Sequence, residues 1–263
     1  MRIKLFFKHP FAVIRAGIKA CEENFHKNEI KRKFNIDKLP TIDLLNLFPE
    51  SEETVNFYSF LSGTSLISDI LLLKKLAKSY SNCSYIEIGS WRGESIVNVA
   101  EVTKDCTAVT LSEKEMKDFG FTENFIKVHG FFAKYNSNIK IIEGNSFIFD
   151  FSQLNKLFDL IFIDGDHSFE GVRNDTRKIF KLRKNRDSII VWHDYSNNIE
   201  NTRYSVLHGI LDAIPKKYHH NIFHVSNTLC AIYTENNKIK HEYLEFPAIP
   251  NKNFKINLKI DKI

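Results

Sequence analysis

The sequence lacks closely spaced cysteines. Its four cysteines are scattered along the chain without a CxxC pair, at Cys21, Cys83, Cys106 and Cys230. Zinc sites and disulfide frameworks both need cysteines at short, regular spacings, so neither is expected here. We therefore predict four free thiols and a reducing, cytoplasmic location.

Long apolar runs are missing too. Near the N terminus, Lys8, His9, Pro10 and Arg15 interrupt each apolar run before it reaches the length of a secretion-signal core. No other stretch approaches the roughly 20 apolar residues of a transmembrane helix. Repeats and low-complexity tracts are also absent, and the apolar fraction of 43% and charged fraction of 26% are ordinary for a globular protein. We expect one α/β core with an N-terminal extension.

The chain has no strong charge of either sign. Its net charge is +5, with basic residues gathered near the N terminus at Lys27, Lys31, Arg32 and Lys33. An anionic partner and a solvated basic surface both account for this excess. Because no aromatic residues interleave with the basic ones in a nucleic-acid-binding motif, nucleic acid is not an expected partner.

Residues 1–60 are predicted to form an N-terminal helical extension or cap. Short helical patterns run near residues 11–23 and 41–47, and Pro40 separates them. The first pattern has an apolar face made by Phe11, Ile14, Ile18 and Cys21. We expect this face to dock onto the main domain, while peripheral membrane contact and a homo-oligomer both stay open.

Residues 61–235 are predicted to form the main domain. A helix over residues 65–80 is too apolar to be solvent-exposed, and the apolar runs SYIEIG, TAVTLS, IKIIEG, FDLIFID and DSIIVWHD follow, separated by helical segments. This alternation indicates βαβ units and a parallel sheet, with the chemistry at the carboxyl ends of the strands. Two further strands joined around Ser226 and Asn227 predict an antiparallel hairpin. Residues 236–263, with the alternating run FKINLKI, form a tail or an edge strand.

A ligand-binding turn follows the first strand of this domain. It reads EIGSWRGES over residues 87–95 and leads directly into a helix. Gly89 permits a backbone conformation closed to other residues, Gly93 allows close approach of the helix, and the free amides at the helix start can hold a carboxylate. A glycine turn that only packs helix on strand is the alternative.

This E-x-G-x-x-x-G-x-S pattern resembles the S-adenosylmethionine-binding motif of class I methyltransferases, particularly the catechol O-methyltransferase-like group. The resemblance implies a Rossmann-like, mostly parallel seven-stranded sheet with an antiparallel C-terminal hairpin, here preceded by the helical extension. It also implies that the turn binds the methionine part of the cofactor through Glu87, Gly89, Ser90, Gly93 and Ser95.

The loops after the next two strands would then complete the cofactor site. The acidic residue that commonly binds the ribose hydroxyls is replaced by Ser112 and Glu113, and either could serve. Ser112 is also a candidate helix N-cap, and the two roles are compatible. Asn145 and Ser146 resemble the family's turn beside the adenine.

Polar side chains crowd the ends of the two later strands. One strand ends in DGDH at residues 164–167, and the next ends in HDY at residues 193–195. Burying such groups unpartnered costs several kcal/mol, on the order of 2 to 7, so a cation, a substrate or a hydrogen-bond network is expected there.

D-G-x-H with a later E/H-D-Y resembles metal-assisted O-methyltransferases, including those that act on macrolide sugars. The resemblance implies that Asp164, beside the cofactor, and Asp194 bind magnesium, and that His167 is the general base. A divalent cation would lower the pKa of a sugar hydroxyl, and the imidazole would accept its proton. His193 stands where relatives often have a carboxylate and is a second candidate for the base, or a hydrogen-bond donor to substrate. Asp166 is a third ligand or a cap for the following helix.

Together these motifs predict O-methylation of a hydroxyl on a sugar, glycan or small molecule, with S-adenosylmethionine as cofactor and magnesium as an assisting metal. A Rossmann-like nucleotide-binding protein or dehydrogenase is the main alternative, although the G-x-G-x-x-G turn is missing. A cofactor-binding module without catalysis is the third interpretation, and only the departure at His193 suggests it.

Overall fold

The computed structural model describes residues 10–49, 52–134 and 136–262, so the first nine residues of the predicted extension lie outside it. Within these ranges, the main sheet has nine strands. The strands that the apolar runs predicted are β2 (Ser84–Ile88), β3 (Asp105–Thr110), β4 (Ile139–Glu143), β5 (Leu160–Ile163) and β6 (Ile189–Trp192). All five are parallel to their neighbours within this group.

The predicted hairpin completes the seven-stranded part of the sheet. It consists of β9 (Ile222–Val225) and β10 (Ala231–Tyr233), and β10 runs antiparallel to both β9 and β6. Asn227 makes the connection with a left-handed φ of 64°. The predicted fold class is therefore confirmed.

Two short strands extend the sheet beyond the predicted seven. Strand β1 (Thr41–Ile42) is parallel to β9, and β11 (His241–Glu242) is antiparallel to β1. The prediction of a helix across residues 41–47 is wrong in its first half, because Ile42 and its neighbours pair their backbone with β9. Only α2 (Leu44–Leu47) is helical, and the Asp43 side chain caps it. The FKINLKI run forms no strand and is largely exposed.

Helices cover both faces of the sheet. The helix α3 (Ile67–Lys78), largely buried as predicted, and α4 (Glu94–Val99) contribute to one apolar core. The helices α7 (Phe169–Ile179) and α8 (Tyr204–Ala213) contribute to the other. The remaining short elements are α5 (Glu113–Asp118), α6 (Glu123–Val128), the small hairpin β7 (Ser196–Asn198) and β8 (Asn201–Thr202), and 3₁₀ turns at Phe151–Leu154, Phe180–Leu182 and Lys216–Asn221.

The N-terminal helix α1 (Pro10–Phe34) is longer than predicted and packs on α8 through its second half only. Ile30 is fully buried, and the Glu23 carboxylate accepts hydrogen bonds from the amides of Tyr204 and Ser205. The apolar face expected to dock is instead exposed, with Phe11 at 80% and Ile18 at 54%. That docking prediction is wrong, because contact with the domain runs through a different side of the helix.

No helix in the described part of the chain is both long and apolar enough to cross a membrane.

Candidate active site

The glycine turn is built against the tip of β5. Gly89 has a φ of +85°, and a Cβ added there would lie 2.3 Å from the backbone oxygen of Asp164. Gly93 has a φ of +81°, and its added Cβ would lie 2.8 Å from the Cβ of Ala133. A residue with a side chain is strained at such a positive φ, and at these two positions its Cβ would also collide with neighbouring atoms. The turn therefore depends on both glycines.

Glu87 lies beneath the turn and is fully buried. The hydroxyl of Tyr85 donates to one carboxylate oxygen at 2.8 Å, and the hydroxyl of Ser95 donates to the other at 2.9 Å. Burial raises the pKa of the Glu87 carboxyl to about 8. Two of the predicted cofactor residues, Glu87 and Ser95, are thus hydrogen-bonded to each other, and this contact fixes the start of α4 against β2.

Ser90 is the buried polar residue of the turn. Its hydroxyl makes no hydrogen bond of regular geometry among the described residues, and it faces the Glu87 carboxyl, where it partly offsets the burial that raises the pKa of that group. Buried polar atoms are nearly always well paired in folded proteins, so a weakly paired hydroxyl in a ligand-binding turn fits the polar part of a cofactor.

The loops after β3 and β4 are tied together by Glu115, which the sequence analysis missed. Ser112 caps α5, and its amide donates to Glu115 Oε2 at 2.8 Å in a capping box. Glu115 Oε1 accepts the amide of Asn145 at 3.1 Å. The capping role expected for Ser112 is confirmed, and the same box positions the loop that holds Asn145 and Ser146. Glu113 is exposed and pairs with Lys117.

An imidazole sits between carboxylates at the tips of β5 and β6. His193 Nδ1 lies 3.0 Å from Asp164 Oδ1, and His193 Nε2 lies 3.1 Å from Asp69 Oδ2. Burial opposes a charge on His193, but Asp164 and then Asp69 outweigh it and raise its pKa well above the ordinary value. Burial likewise opposes ionisation of Asp164, and His193 outweighs it to lower the pKa of that carboxyl. The ring is therefore an imidazolium with both nitrogens engaged.

Asp194 and His167 form the outer part of this cluster. Asp194 has a left-handed φ of 55°, and its Oδ2 accepts from Nη1 of Arg203 at 2.8 Å. His167 Nε2 lies 3.5 Å from Asp194 Oδ2 and 3.9 Å from Asp164 Oδ1. The structure thus brings together Asp164, His167, His193 and Asp194, the residues that the two strand-end motifs predicted.

Asp166 supports the start of the following helix, which is the second of the two roles that the sequence allowed. Its Oδ1 accepts the amide of Ser168 at 3.0 Å and its Oδ2 accepts the Ser168 hydroxyl at 2.6 Å. Ser168 in turn caps α7 by accepting the Gly171 amide. Asp166 therefore organises the helix start.

Asp69 and Arg203 are the cluster members that the sequence analysis missed. Asp69 was detectable in principle, as an acidic residue inside the apolar stretch LISDILLL of a helix predicted to be buried. Arg203 gave no comparable signal, since it lies in a polar segment outside any motif.

A cleft of about 660 Å³ opens beside His167. The loop after β5, the start of α7 and α1 form its walls, and the lining includes Arg15, Lys19, Glu22, Asp166, His167 and Arg203. The N-terminal extension therefore contributes one wall of the space from which a substrate would reach His167.

Comparison with known proteins finds a match to the central part of the chain. Residues 86–195 match the sequence profile of a methyltransferase domain family. No curated protein sequence matches the chain. The matched segment begins in β2 and ends at Tyr195, so it contains the glycine turn and both strand-end motifs.

Several solved structures resemble the chain in part. One is an O-methyltransferase from Bacillus cereus in complex with SAH, at 16% identity and a TM-score of 0.40, covering 58% of this chain and 70% of that one. Another is CalS11, a TDP-rhamnose 3'-O-methyltransferase of calicheamicin biosynthesis, at 11% identity and a TM-score of 0.45, covering 65% and 80%. Overlaps of this extent carry no argument about the substrate of this chain.

Proposed function

We propose that this chain, whose residues 86–195 belong to a methyltransferase domain, transfers the methyl group of S-adenosylmethionine to a hydroxyl oxygen of a sugar, glycan or other small molecule. The observation that carries the proposal is the contact between the cofactor turn and the acid–imidazole cluster. Gly89 packs directly on the backbone of Asp164, and His167 lies within 4 Å of the Asp164 carboxylate. A group held by the turn would therefore lie beside the residues that handle the acceptor.

The residues around the turn fit the cofactor. The Ser90 hydroxyl and the turn at Gly89 and Gly93 would hold the methionine part, Ser112 or Glu113 the ribose, and the loop at Asn145 and Ser146 the adenine. When bound, S-adenosylmethionine supplies the methyl group and its own leaving group. The protein then has to bind the acceptor, orient it and remove its proton.

His167 is the residue proposed to accept that proton. It lines the cleft and is only partly buried, so an acceptor hydroxyl can reach it. Asp194 Oδ2, 3.5 Å from Nε2, would stabilise the positive charge that the ring gains. His193, the other predicted base, cannot serve in the same way because both of its nitrogens already face carboxylates.

The predicted magnesium site fits these residues poorly. Asp164 is paired with the His193 ring and Asp194 with Arg203, so each predicted metal ligand already forms an ion pair with a cationic side chain. Magnesium prefers several oxygen ligands in near-octahedral geometry. Among the described residues, no three His, Cys, Asp or Glu side chains are arranged to hold a metal ion. We derive no step through a metal.

Labelled methyl transfer tests the proposal with a matched pair of glycine variants. The protein is incubated with methyl-labelled S-adenosylmethionine and fractionated glycans and metabolites, and label in the acceptor fraction is measured. Gly89→Ala should abolish transfer, because its Cβ meets the Asp164 oxygen. Gly120→Ala, which has a similar φ of +77° but no atom within 4 Å of the added Cβ, should retain it. Circular dichroism checks that both variants fold, and equal transfer by the two folded variants would contradict the proposed role of the turn.

A further inference from the structure

We propose that this chain works without a divalent cation, because the His193 ring and the Arg203 guanidinium occupy the carboxylate oxygens that such a cation would bind. The inference rests on the proposed methyl transfer for its functional meaning. Its structural content, that the cluster holds no metal ion, can be measured separately.

The His193 ring fills the space between the predicted ligands. Its Nδ1 lies 3.0 Å from Asp164 Oδ1 and 3.4 Å from Asp194 Oδ1. A magnesium ion sits about 2.1 Å from its oxygen ligands. An ion bridging these two oxygens would therefore have to take the place of the ring nitrogen.

The ring cannot readily swing away to admit an ion. Asp69 is fully buried and holds the opposite nitrogen of His193. The Asp69 carboxylate is itself fixed by the amides of Leu66 and Leu229, each at 2.8 Å, so it is anchored to the start of α3 and to the C-terminal hairpin. Displacing His193 would leave a buried carboxylate without its cationic partner, which is strongly unfavourable.

On the outer side of the cluster, the Arg203 guanidinium takes the place that a metal ion would have beside Asp194. Its Nη1 lies 2.8 Å from Asp194 Oδ2, the oxygen that faces away from His193 and lies nearest to His167. The two side-chain cations thus hold the Asp164 and Asp194 carboxylates in place. A divalent ion added there would be repelled by both.

Titration with Mn²⁺, followed by electron paramagnetic resonance, tests the proposal on the full chain without cofactor or acceptor. The wild type should bind no Mn²⁺ at this cluster. His193→Asp, which removes the ring and adds a carboxylate beside Asp164 and Asp194, should gain one bound ion. His220→Asp is the matched control, since it makes the same change at an exposed imidazole outside the cluster, and it should behave as the wild type does.

Stoichiometric Mn²⁺ binding by the wild type that Asp164→Asn abolishes would overturn the proposal. Failure of folded His193→Asp to bind more Mn²⁺ than His220→Asp would also count against it, because the ring would then not be what keeps the ion out. If His193→Asp does not fold, the wild-type titration decides alone. Because the titration contains no cofactor or acceptor, a failure to find methyl transfer would refute the proposed function without altering this result. In active preparations, exhaustive chelation should leave the rate unchanged.

Discussion

At the scale of single residues, Asp69 is the buried charge on which the cluster depends. Its carboxylate accepts two backbone amides and faces the His193 ring. Asp69→Asn should lower the free energy of unfolding by about 3–5 kcal/mol, the usual cost of removing one partner from a buried ion pair. Urea denaturation measures the change, with Asp118→Asn at an exposed helix position as control. A loss no larger than that of the control would show that the pair contributes little.

His167 is the residue whose chemistry the proposal uses most directly. His167→Ala should lower turnover by roughly a hundredfold or more, the scale expected for a general base, while cofactor affinity changes little. His220→Ala, at an exposed imidazole, should leave turnover intact. Steady-state kinetics and a cofactor titration on each variant separate the two effects. Near-normal turnover of His167→Ala would make His167 structural.

The site residues that directly follow strands were predictable from the sequence. Those that lie on other elements of the fold were not. Asp164, His167, His193 and Asp194 stand at the ends of apolar runs, and parallel strands place such ends at one edge. Asp69 reaches His193 across 124 residues of sequence, and the contact depends on how α3 packs. The distances among the side chains of the cluster decide whether its carboxylates bind a metal ion or form ion pairs. These distances are set only when the chain folds.

At the scale of elements, two facing imidazoles lie where α1 packs on α8. His26 Nδ1 and His208 Nδ1 lie 2.9 Å apart, and Nζ of Lys33 lies 3.4 Å from the other nitrogen of His208. Burial, then Lys33 and His26, lowers the pKa of His208 to about 4, although Asp212 and Glu29 act in the opposite direction. Burial also lowers the pKa of His26. Both rings are therefore neutral in the packed state.

Acid should loosen this attachment. A free imidazole titrates near pH 6.5. From about that pH down towards pH 4, the two rings therefore take up protons when α1 is detached that they do not take up when it is packed on α8. Stability of the packed state is full above this window and falls through it. Hydrogen exchange in α1, corrected for the intrinsic rate, should therefore increase from pH 7.5 to pH 5 relative to α3, and His208→Gln should reduce the difference. Equal protection of α1 at both pH values would contradict the prediction.

The longer strands and helices were predictable from local pattern, and the two-residue strands were not. Strands β5 and β6 are continuous apolar runs and β2 is buried along its whole length, as expected for central strands covered on both faces, whereas β4 at the edge of the sheet is partly exposed. Strands β1 and β11 are too short to carry a pattern. Strand β1 forms because Thr41 and Ile42 pair with the backbone of β9, and β11 forms because it pairs in turn with β1. The exposed apolar face of α1 had a clear pattern, but the pattern did not predict its packing. Periodicity indicates a helix with an apolar side and does not show which part of the protein covers that side.

At the scale of the whole molecule, the sheet brings the glycine turn and the polar cluster together at one edge. The glycine turn after β2 and the acid–imidazole cluster after β5 and β6 meet where Gly89 packs on Asp164, and α1 adds a wall to the adjoining cleft. The domain match ends at Tyr195, so the C-terminal hairpin and α1 lie outside the matched segment. Acceptor choice should therefore depend partly on residues outside the matched domain.

Isothermal calorimetry with S-adenosylhomocysteine and NAD measures whether the glycine turn binds the proposed cofactor. Both ligands carry an adenosine, but only the first has the amino-acid part that the turn at Gly89, Ser90 and Gly93 is proposed to hold. We expect one S-adenosylhomocysteine to bind per chain, NAD to give no heat of binding, and Gly89→Ala to bind S-adenosylhomocysteine at least tenfold more weakly than Gly120→Ala. Tight binding of NAD with none of S-adenosylhomocysteine would contradict this expectation.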